Sequence, residues 1–300
     1  FKNVYKINVK NVYKINVYKK IALCILIFYA VQKIVLAQDI IEPIVHEAHL
    51  GNGWYAQDKE QLIKNLDYFL SHSKEYSVPL GSAAIKALIV PHAGHYFSGL
   101  CAAASYRLLL EQNNGVKNIK RVILLAPSHH KSIKGVILPA YTEYKTVLGK
   151  STVDKKAIDL LLENTVCSID QEAHELEHSI EVQLPFLQHI LPDVTIIPLI
   201  IGTLKKEELE SALALLHKII DDQTIIIATT DFTHQGAGYS YTPFTDEIVH
   251  RLRALDSRVA QPLFTKNAPL FLKNIQETGA TICGKEPVAL LLAYLKKYHR

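Results

Sequence analysis

The 300-residue sequence has no methionine, one tryptophan and only four cysteines, which lie far apart. A translated chain begins with methionine, so we expect this sequence to be a fragment or to carry a misassigned start. The absence of any CxxC pair excludes a zinc ribbon, and the three cysteines after residue 37 do not make a disulfide framework. The sequence also lacks the GxSxG, GxGxxG and GxxxxGK(S/T) motifs. It therefore gives no support for a serine-hydrolase elbow, a dinucleotide-binding fingerprint or a phosphate-binding P-loop.

Acidic residues are absent from the first 37 positions, which contain seven lysines. The formal charge of the whole chain is +4, and such an excess of positive charge mildly favours a nucleic-acid or membrane partner. Residues 38–300, however, contain 26 basic and 29 acidic residues. The positive charge therefore belongs to the N-terminal segment, and we expect no nucleic-acid partner.

The N-terminal segment has the layout of a secretory signal peptide. Lys2–Val9 is repeated letter for letter as Lys10–Val17, and two lysines then precede the apolar run Ile21–Val31, with a small residue at Ala37. A basic region, a short apolar run and small residues before a cleavage point are typical of such signals. The run is shorter than the roughly 20 residues of a membrane-spanning helix. We predict cleavage before Gln38 and export; an uncleaved anchor and spurious upstream translation are the alternatives.

The remaining sequence alternates between apolar runs of strand length and helical patterns. Continuous runs rich in β-branched residues indicate strands that are buried on both faces, and interleaved helices indicate a mostly parallel sheet. No Gly/Ser-rich linker divides this part of the chain. We therefore predict a leader at 1–37, a linker at 38–50 and a single three-layer α/β domain at 51–300. The predicted strands are Ala87–Val90, Arg121–Ala126, Gly135–Leu138, Thr195–Ile201 and Thr224–Ala228, and the helices are Asp58–Ser71, Ser98–Leu110, Asp154–Leu162, Ser179–Ile190, Lys205–Ile220, Asp246–Ala260, Ala268–Thr278 and Glu286–Tyr298.

Polar side chains follow three of these predicted strands. His92 comes after the first, His129 after the second, and Asp231 and His234 after the last. Ligands of open parallel sheets bind beyond the carboxyl ends of the strands, so we expect these side chains to lie on one edge of the sheet. Histidine is the commonest metal ligand and a general acid/base near neutral pH. The pattern favours a metal site over hydrogen-bonded surface histidines, because three strands share it.

The roles of one cysteine and of one further polar cluster stay open. Cys283 lies just before the predicted helix at Glu286, where a helix N-terminus favours the thiolate form that binds metals. A small buried core thiol is the alternative. Glu177, His178 and Glu181 lie close together, but no second histidine completes an HExxH or HxxEH motif. They either cap a helix or support a neighbouring site.

Taken in order, six motifs resemble those of the Memo family, known in prokaryotes as AmmeMemoRadiSam system protein B. The resemblance runs from about Gly51 to the end of the chain. The motifs are PHAGHYFSG (Pro91–Gly99), APSHH (Ala126–His130), EHSIEVQLPFLQ (Glu177–Gln188), IIPLIIG (Ile196–Gly202), TTDFTHQG (Thr229–Gly236) and CGKEPV (Cys283–Val288).

The resemblance implies a fold similar to that of the class III, LigB-type extradiol dioxygenases. It also implies that His92, His129 and Cys283 hold iron or copper, and that Asp231 and His234 are the remaining pair in the pocket, with His234 as general acid/base. The expected function is that of a redox-active enzyme acting on a small molecule or a peptide. A radical-SAM enzyme is a possible system partner. A thiolate in place of a carboxylate favours copper or thiolate-bound iron.

Two other functions agree with the same residues. One is a binding module that recognises a peptide or small ligand without turnover, and the other is a hydrolase or lyase with catalytic zinc. The sequence departs from the family pattern at Val147, where the family has proline, and at its C-terminus, which we expect to be incomplete. The usual family member is cytosolic, so the expected export depends on the leader alone.

Overall fold

A six-stranded β-sheet forms the centre of the computed structural model, which describes residues 42–76, 84–112, 116 and 118–299. The predicted signal peptide lies outside the described residues. No helix among those described is long and apolar enough to cross a membrane.

The strands and helices largely follow the sequence pattern. The strands are β1 (Val45–Glu47), β2 (Ala87–Val90), β3 (Arg121–Ala126), β4 (Val136–Leu138), β5 (Glu143–Thr146), β6 (Gly149–Thr152), β7 (Cys167–Ile169), β8 (Thr195–Ile201) and β9 (Thr224–Thr229). The α-helices are α1 (Lys59–His72), α2 (His95–Glu111), α3 (Lys155–Leu161), α4 (Gln171–Glu175), α5 (His178–Glu181), α6 (Leu184–Ile190), α7 (Lys206–Ile219), α8 (Ile248–Ala260), α9 (Ala268–Thr278) and α10 (Lys285–Tyr298).

The strand order of the central sheet is β2-β9-β3-β8-β4-β7. Strands β2, β9, β3 and β8 are parallel neighbours, whereas β4 runs antiparallel to β8. Every residue of β9 is buried, as are all but the first residues of β3 and β8, which is why these strands read as continuous apolar runs. Helix α10 packs against β3, β8 and β9, and α2 packs against β2. The predicted α/β fold with a mostly parallel sheet is confirmed.

A second, three-stranded sheet joins β1, β5 and β6, none of which was predicted. Strand β1 lies within the segment 38–50 that was expected to be a linker, and it pairs in parallel with β5. Its three residues include two polar ones, so the strand is recognisable only through its partner. Strands β5 and β6 form a hairpin whose turn contains Val147.

The single helix predicted over Ser179–Ile190 is two helices in the structure, α5 and α6. Pro185 lies at the start of α6. A proline has no N–H to donate and its ring clashes with the carbonyl four residues earlier, here that of Glu181, so the helical hydrogen bonding is interrupted at this position. Gln183 occupies the break, where its side chain donates to the carbonyl of Pro91 (3.0 Å) and accepts from the hydroxyl of Tyr106 (2.9 Å).

His174 is fully buried between the central sheet and the hairpin. Its Nδ1 accepts a hydrogen bond from the Tyr144 hydroxyl at 2.9 Å, and its Nε2 donates to the Ile137 carbonyl at 3.2 Å. Burial lowers the pKa of His174 from 6.5 to about 4. As the pH falls, the unfolded chain therefore takes up a proton at this residue before the folded chain does, and stability is lost between these two values.

As the pH falls from 7.5 to 5, we expect the free energy of unfolding to decrease by about 2 kcal/mol because of the lowered pKa of His174. The measurement is denaturant unfolding of the wild type and His174→Gln at both pH values. Glutamine can make both hydrogen bonds but does not titrate, so the variant should lose that share of the pH dependence. Equal pH dependence in the two proteins would contradict the assignment.

Candidate metal centre

The strand order brings the predicted site residues to one edge of the sheet. Strand β9 lies between β2 and β3, and all three run in the same direction. Their carboxyl ends are therefore adjacent, and the residues that follow them share one rim. His92 follows β2, His129 follows β3, and Asp231 and His234 follow β9.

Two histidines and a cysteine form the centre of this rim. One ligand atom from each of His92, His129 and Cys283 lies within 4.8 Å of the others, and Nε2 of His92 is 3.0 Å from Sγ of Cys283. Burial lowers the pKa of His92 well below its usual value, and the nearby His129 and His178 lower it further. His92 is therefore a neutral imidazole, the form that binds metals. Two imidazole nitrogens and a sulfur fit copper, iron or zinc.

Glu177 holds His129 in position. Its Oε1 accepts from Nδ1 of His129 and its Oε2 from the backbone N–H of the same residue, both at 2.8 Å. Burial alone would raise the pKa of Glu177, but the hydrogen bond from His129 and the charge on His129 lower it to about 2. Burial would likewise lower the pKa of His129, which Cys283 and Glu177 raise to about 10. Without a metal, His129 therefore carries a proton on both ring nitrogens. Because Nδ1 donates to a carboxylate, Nε2 is the nitrogen whose proton a metal ion would replace.

Glu177 thus fills both roles left open by the sequence. It supports the site, and it also caps helix α5 by accepting from the N–H of Ser179 at 3.0 Å.

Cys283 reaches the rim because the chain before α10 passes very close to the end of β9. Its sulfur accepts a hydrogen bond from the backbone N–H of Asp231 at 3.3 Å. The backbone N–H of Gly284, the residue after Cys283, donates to Oγ1 of Thr230 at 3.0 Å. Gly284 is also the N-cap of α10 and has no side chain to satisfy the first turn. The backbone N–H dipole and the helix N-terminus place positive charge beside the sulfur.

Asp231 and His234 complete the rim. Oδ1 of Asp231 accepts from the N–H of His92 at 2.9 Å, and its Oδ2 is 4.0 Å from Nε2 of His92 and 3.9 Å from Nε2 of His234. Nδ1 of His234 donates to the carbonyl of Thr281 at 2.9 Å. A neutral His234 therefore has its lone pair on Nε2, the nitrogen nearer to Asp231.

The side chains of His92, His129, Asp231 and His234 line an open cavity of about 490 Å³, whose lining does not include Cys283. Sequence reasoning missed the aromatic part of its wall: Trp54 packs on His178 with ring centroids 4.5 Å apart, and Phe97 and Tyr239 lie nearby. The uniqueness of Trp54 was the only hint. A larger cavity of about 600 Å³ lies against α7, α9 and α10, but leucines, alanines and lysines form most of its lining and none of the predicted site residues is among them.

Fold and site together define the class of protein: an α/β protein with a mostly parallel sheet and a candidate His/His/Cys metal centre at the edge where the parallel strands end. A family model described as "Memo-like protein" matches residues 46–300. The chain belongs to this family, which confirms the resemblance found in the sequence.

Curated relatives span archaea and animals. The chain is 30% identical over 256 residues to "MEMO1 family protein" of Thermococcus onnurineus, a match that covers 82% of this chain and 85% of the relative. It is 29% identical over 259 residues to "Protein MEMO1" of Xenopus tropicalis, covering 83% and 84%. The match to "Protein memo-1 homolog" of Caenorhabditis elegans is 28% over 253 residues, covering 82% and 69%.

Proposed function

We propose that this protein is a redox-active enzyme that uses non-haem iron or copper and acts on a small molecule or a peptide. The observation that supports the proposal is the grouping of His92, His129 and Cys283, whose ligand atoms lie within 4.8 Å of one another beside an open cavity. Cysteine is a soft ligand, which favours copper or thiolate-bound iron. A bound ion would supply one-electron redox chemistry at this position.

His234 is the proposed general acid/base. Its Nδ1 hydrogen bond to Thr281 orients the ring and leaves Nε2 to accept a proton from a substrate in the cavity. Once His234 is protonated, the carboxylate of Asp231 at 3.9 Å would stabilise the positive charge. Asp231 itself is held by the backbone N–H groups of His92 and Ala93.

A binding module without turnover is the second candidate, and one feature of the surface favours it. Tyr96 and Phe97 at the start of α2 are 88% and 79% exposed, and Tyr239 is 60% exposed. Phe97 and Tyr239 line the cavity. Exposed aromatic side chains around a cavity are typical of ligand-binding surfaces.

Metal content tests the site. We expect the purified protein to contain about one equivalent of iron or copper and Cys283→Ser or His92→Ala to lose most of it, because each removes one of three ligands. Cys101→Ser and His130→Ala are the matched controls. Cys101 is an exposed thiol on α2, and His130 is the exposed neighbour of His129, so both variants should retain the metal. Equal metal content in the Cys283→Ser and Cys101→Ser proteins would refute the assignment.

Oxygen uptake with a panel of phenols and thiols then separates an enzyme from a binding module. For an enzyme, we expect the wild type to consume oxygen and His234→Gln to keep its metal but lose most of the uptake. Ligand binding without uptake, surviving Cys283→Ala, would indicate the module instead. Bound zinc with no oxygen uptake would favour a hydrolase or lyase.

A further inference from the structure

A second group of metal-ligating side chains shares no residue with the candidate centre. His46 in β1, His49 just after it and Glu181 at the end of α5 each offer one ligand atom, and these atoms lie within 4.8 Å of one another. We propose that these three residues form a second metal site, which binds one divalent ion, zinc by preference. This proposal does not depend on the proposed redox function.

His46 is held rigidly and has an unsatisfied nitrogen. The residue is only 3% exposed, and its ring stacks on Tyr144 with centroids 4.7 Å apart while the edge of Tyr141 contacts it at 4.9 Å. Its Nδ1 is buried without a hydrogen-bond partner. Burial lowers the pKa of His46, so the ring stays neutral. A buried polar atom without a partner is unfavourable, and coordination by a neighbouring ion would account for keeping a histidine here.

Glu181 supplies the charge that a divalent ion needs. Its Oε1 accepts from the N–H of Leu50 and the hydroxyl of Tyr55, and its Oε2 accepts from the N–H of His49. Burial would raise the pKa of Glu181, but the hydrogen bonds from His49 and Tyr55 lower it. The carboxylate is thus ionised. The backbone N–H groups of His49 and Leu50 and the hydroxyl of Tyr55 orient it, and none of these three groups would bind the ion itself, as is common around metal sites.

The spacing of His49 and Glu181 suits replacement of a proton by a metal ion. Nδ1 of His49 lies 2.9 Å from Oε2 of Glu181. Two nitrogen or oxygen ligands of a tetrahedral zinc ion, each about 2.1 Å from it, lie about 3.4 Å apart. An ion can therefore take the place of the shared proton with a small outward movement of His49, whose side chain is 38% exposed and open to solvent.

The donor set defines the ion and its role. Two imidazoles and one carboxylate, with water in the fourth position, suit zinc, and no thiolate is present to favour copper(I). The ion would tie the turn after β1 to the last residue of α5, the helix whose first turn is capped by Glu177. The site would therefore stabilise the segment that carries Trp54 to the cavity, without a chemical step of its own.

The test is zinc binding to a protein that lacks the first centre, the candidate centre formed by His92, His129 and Cys283. We expect His92→Ala/Cys283→Ser to bind about one equivalent of zinc and to show a higher Tm when zinc is added. Adding His49→Ala should weaken binding by at least about 100-fold and abolish the rise in Tm. His46→Phe, added instead, should also weaken zinc binding and abolish the rise in Tm, although its ring can still stack on Tyr144. His189→Ala is the control, because it removes another histidine–carboxylate pair, 2.8 Å from Asp67, with no third ligand.

Cobalt binding to the otherwise wild-type protein gives an independent readout if the double variant does not fold. The first centre contains sulfur and should show a sulfur-to-cobalt charge-transfer band, whereas the second should not. We expect His49→Ala to lose one equivalent of cobalt and keep this band. Equal metal stoichiometry and affinity in the His49→Ala and His189→Ala proteins would overturn the second site and leave the proposed function untouched.

Discussion

Replacing Glu177 with alanine is expected to destabilise the protein by about 3–5 kcal/mol and to weaken metal binding at the first centre by about 10- to 100-fold. The side chain is almost fully buried, and its carboxylate accepts three hydrogen bonds, two from His129 and one from the N–H of Ser179. Alanine would leave all three donors without their acceptor. The ring of His129 would also lose the contact that directs Nε2 toward Cys283.

Glu181→Ala is the matched control for this variant. Glu181 lies one turn further along α5, is equally buried and accepts hydrogen bonds from His49, Leu50 and Tyr55, so its loss should destabilise the fold to a similar extent. It does not contact His129. We therefore expect both variants to show a lower free energy of unfolding in denaturant, but only Glu177→Ala to lose the sulfur-to-cobalt band. Loss of that band in both variants would mean that Glu177 acts through general stability alone.

Gly284→Ala is expected to disrupt the same centre by displacing Cys283, the residue before it. A Cβ atom at this position would lie less than 3.0 Å from the carbonyl oxygen of Thr229 and from two side-chain atoms of Thr230. The first contact is with the backbone of β9, which cannot yield without moving the sheet. We expect a loss of about 3 kcal/mol in unfolding free energy, at the upper end for overpacking, and displacement of the neighbouring Cys283.

The control for Gly284→Ala is Gly51→Ala, where an added Cβ meets no atom within 4 Å. This variant should keep both its stability and its metal. The comparison uses denaturant unfolding and metal content of the two variants. Wild-type stability and metal content in Gly284→Ala would show that the loop before α10 does not depend on close packing against β9.

Much of the fold was predictable because its pattern is local. The apolar runs of β3, β8 and β9 have the composition of strands buried on both faces, and the structure places all three in the interior of the sheet. Strands β1, β5, β6 and β7 were missed because each has only three or four residues and includes polar ones. Strand β1 also pairs with a strand that lies far away in the sequence, β5. Pro185 marks the break between α5 and α6 in the sequence, but the helical pattern of apolar residues continues on both sides of this proline and predicted a single helix.

Residue order alone placed His92, His129, Asp231 and His234 at strand ends, since parallel strands carry the residues that follow them to a common edge. The same order could not show that Glu177 meets His129, or that Glu181 meets His49, because those contacts bridge 48 and 132 residues and depend on how the chain folds back. Nor could it explain Gly284, whose small size matters only because β9 lies against it. Local periodicity and composition therefore decided the elements and the rim of the sheet. Long-range packing decided which side chains share a ligand position, because that requires distances that only the assembled sheet and its flanking helices impose.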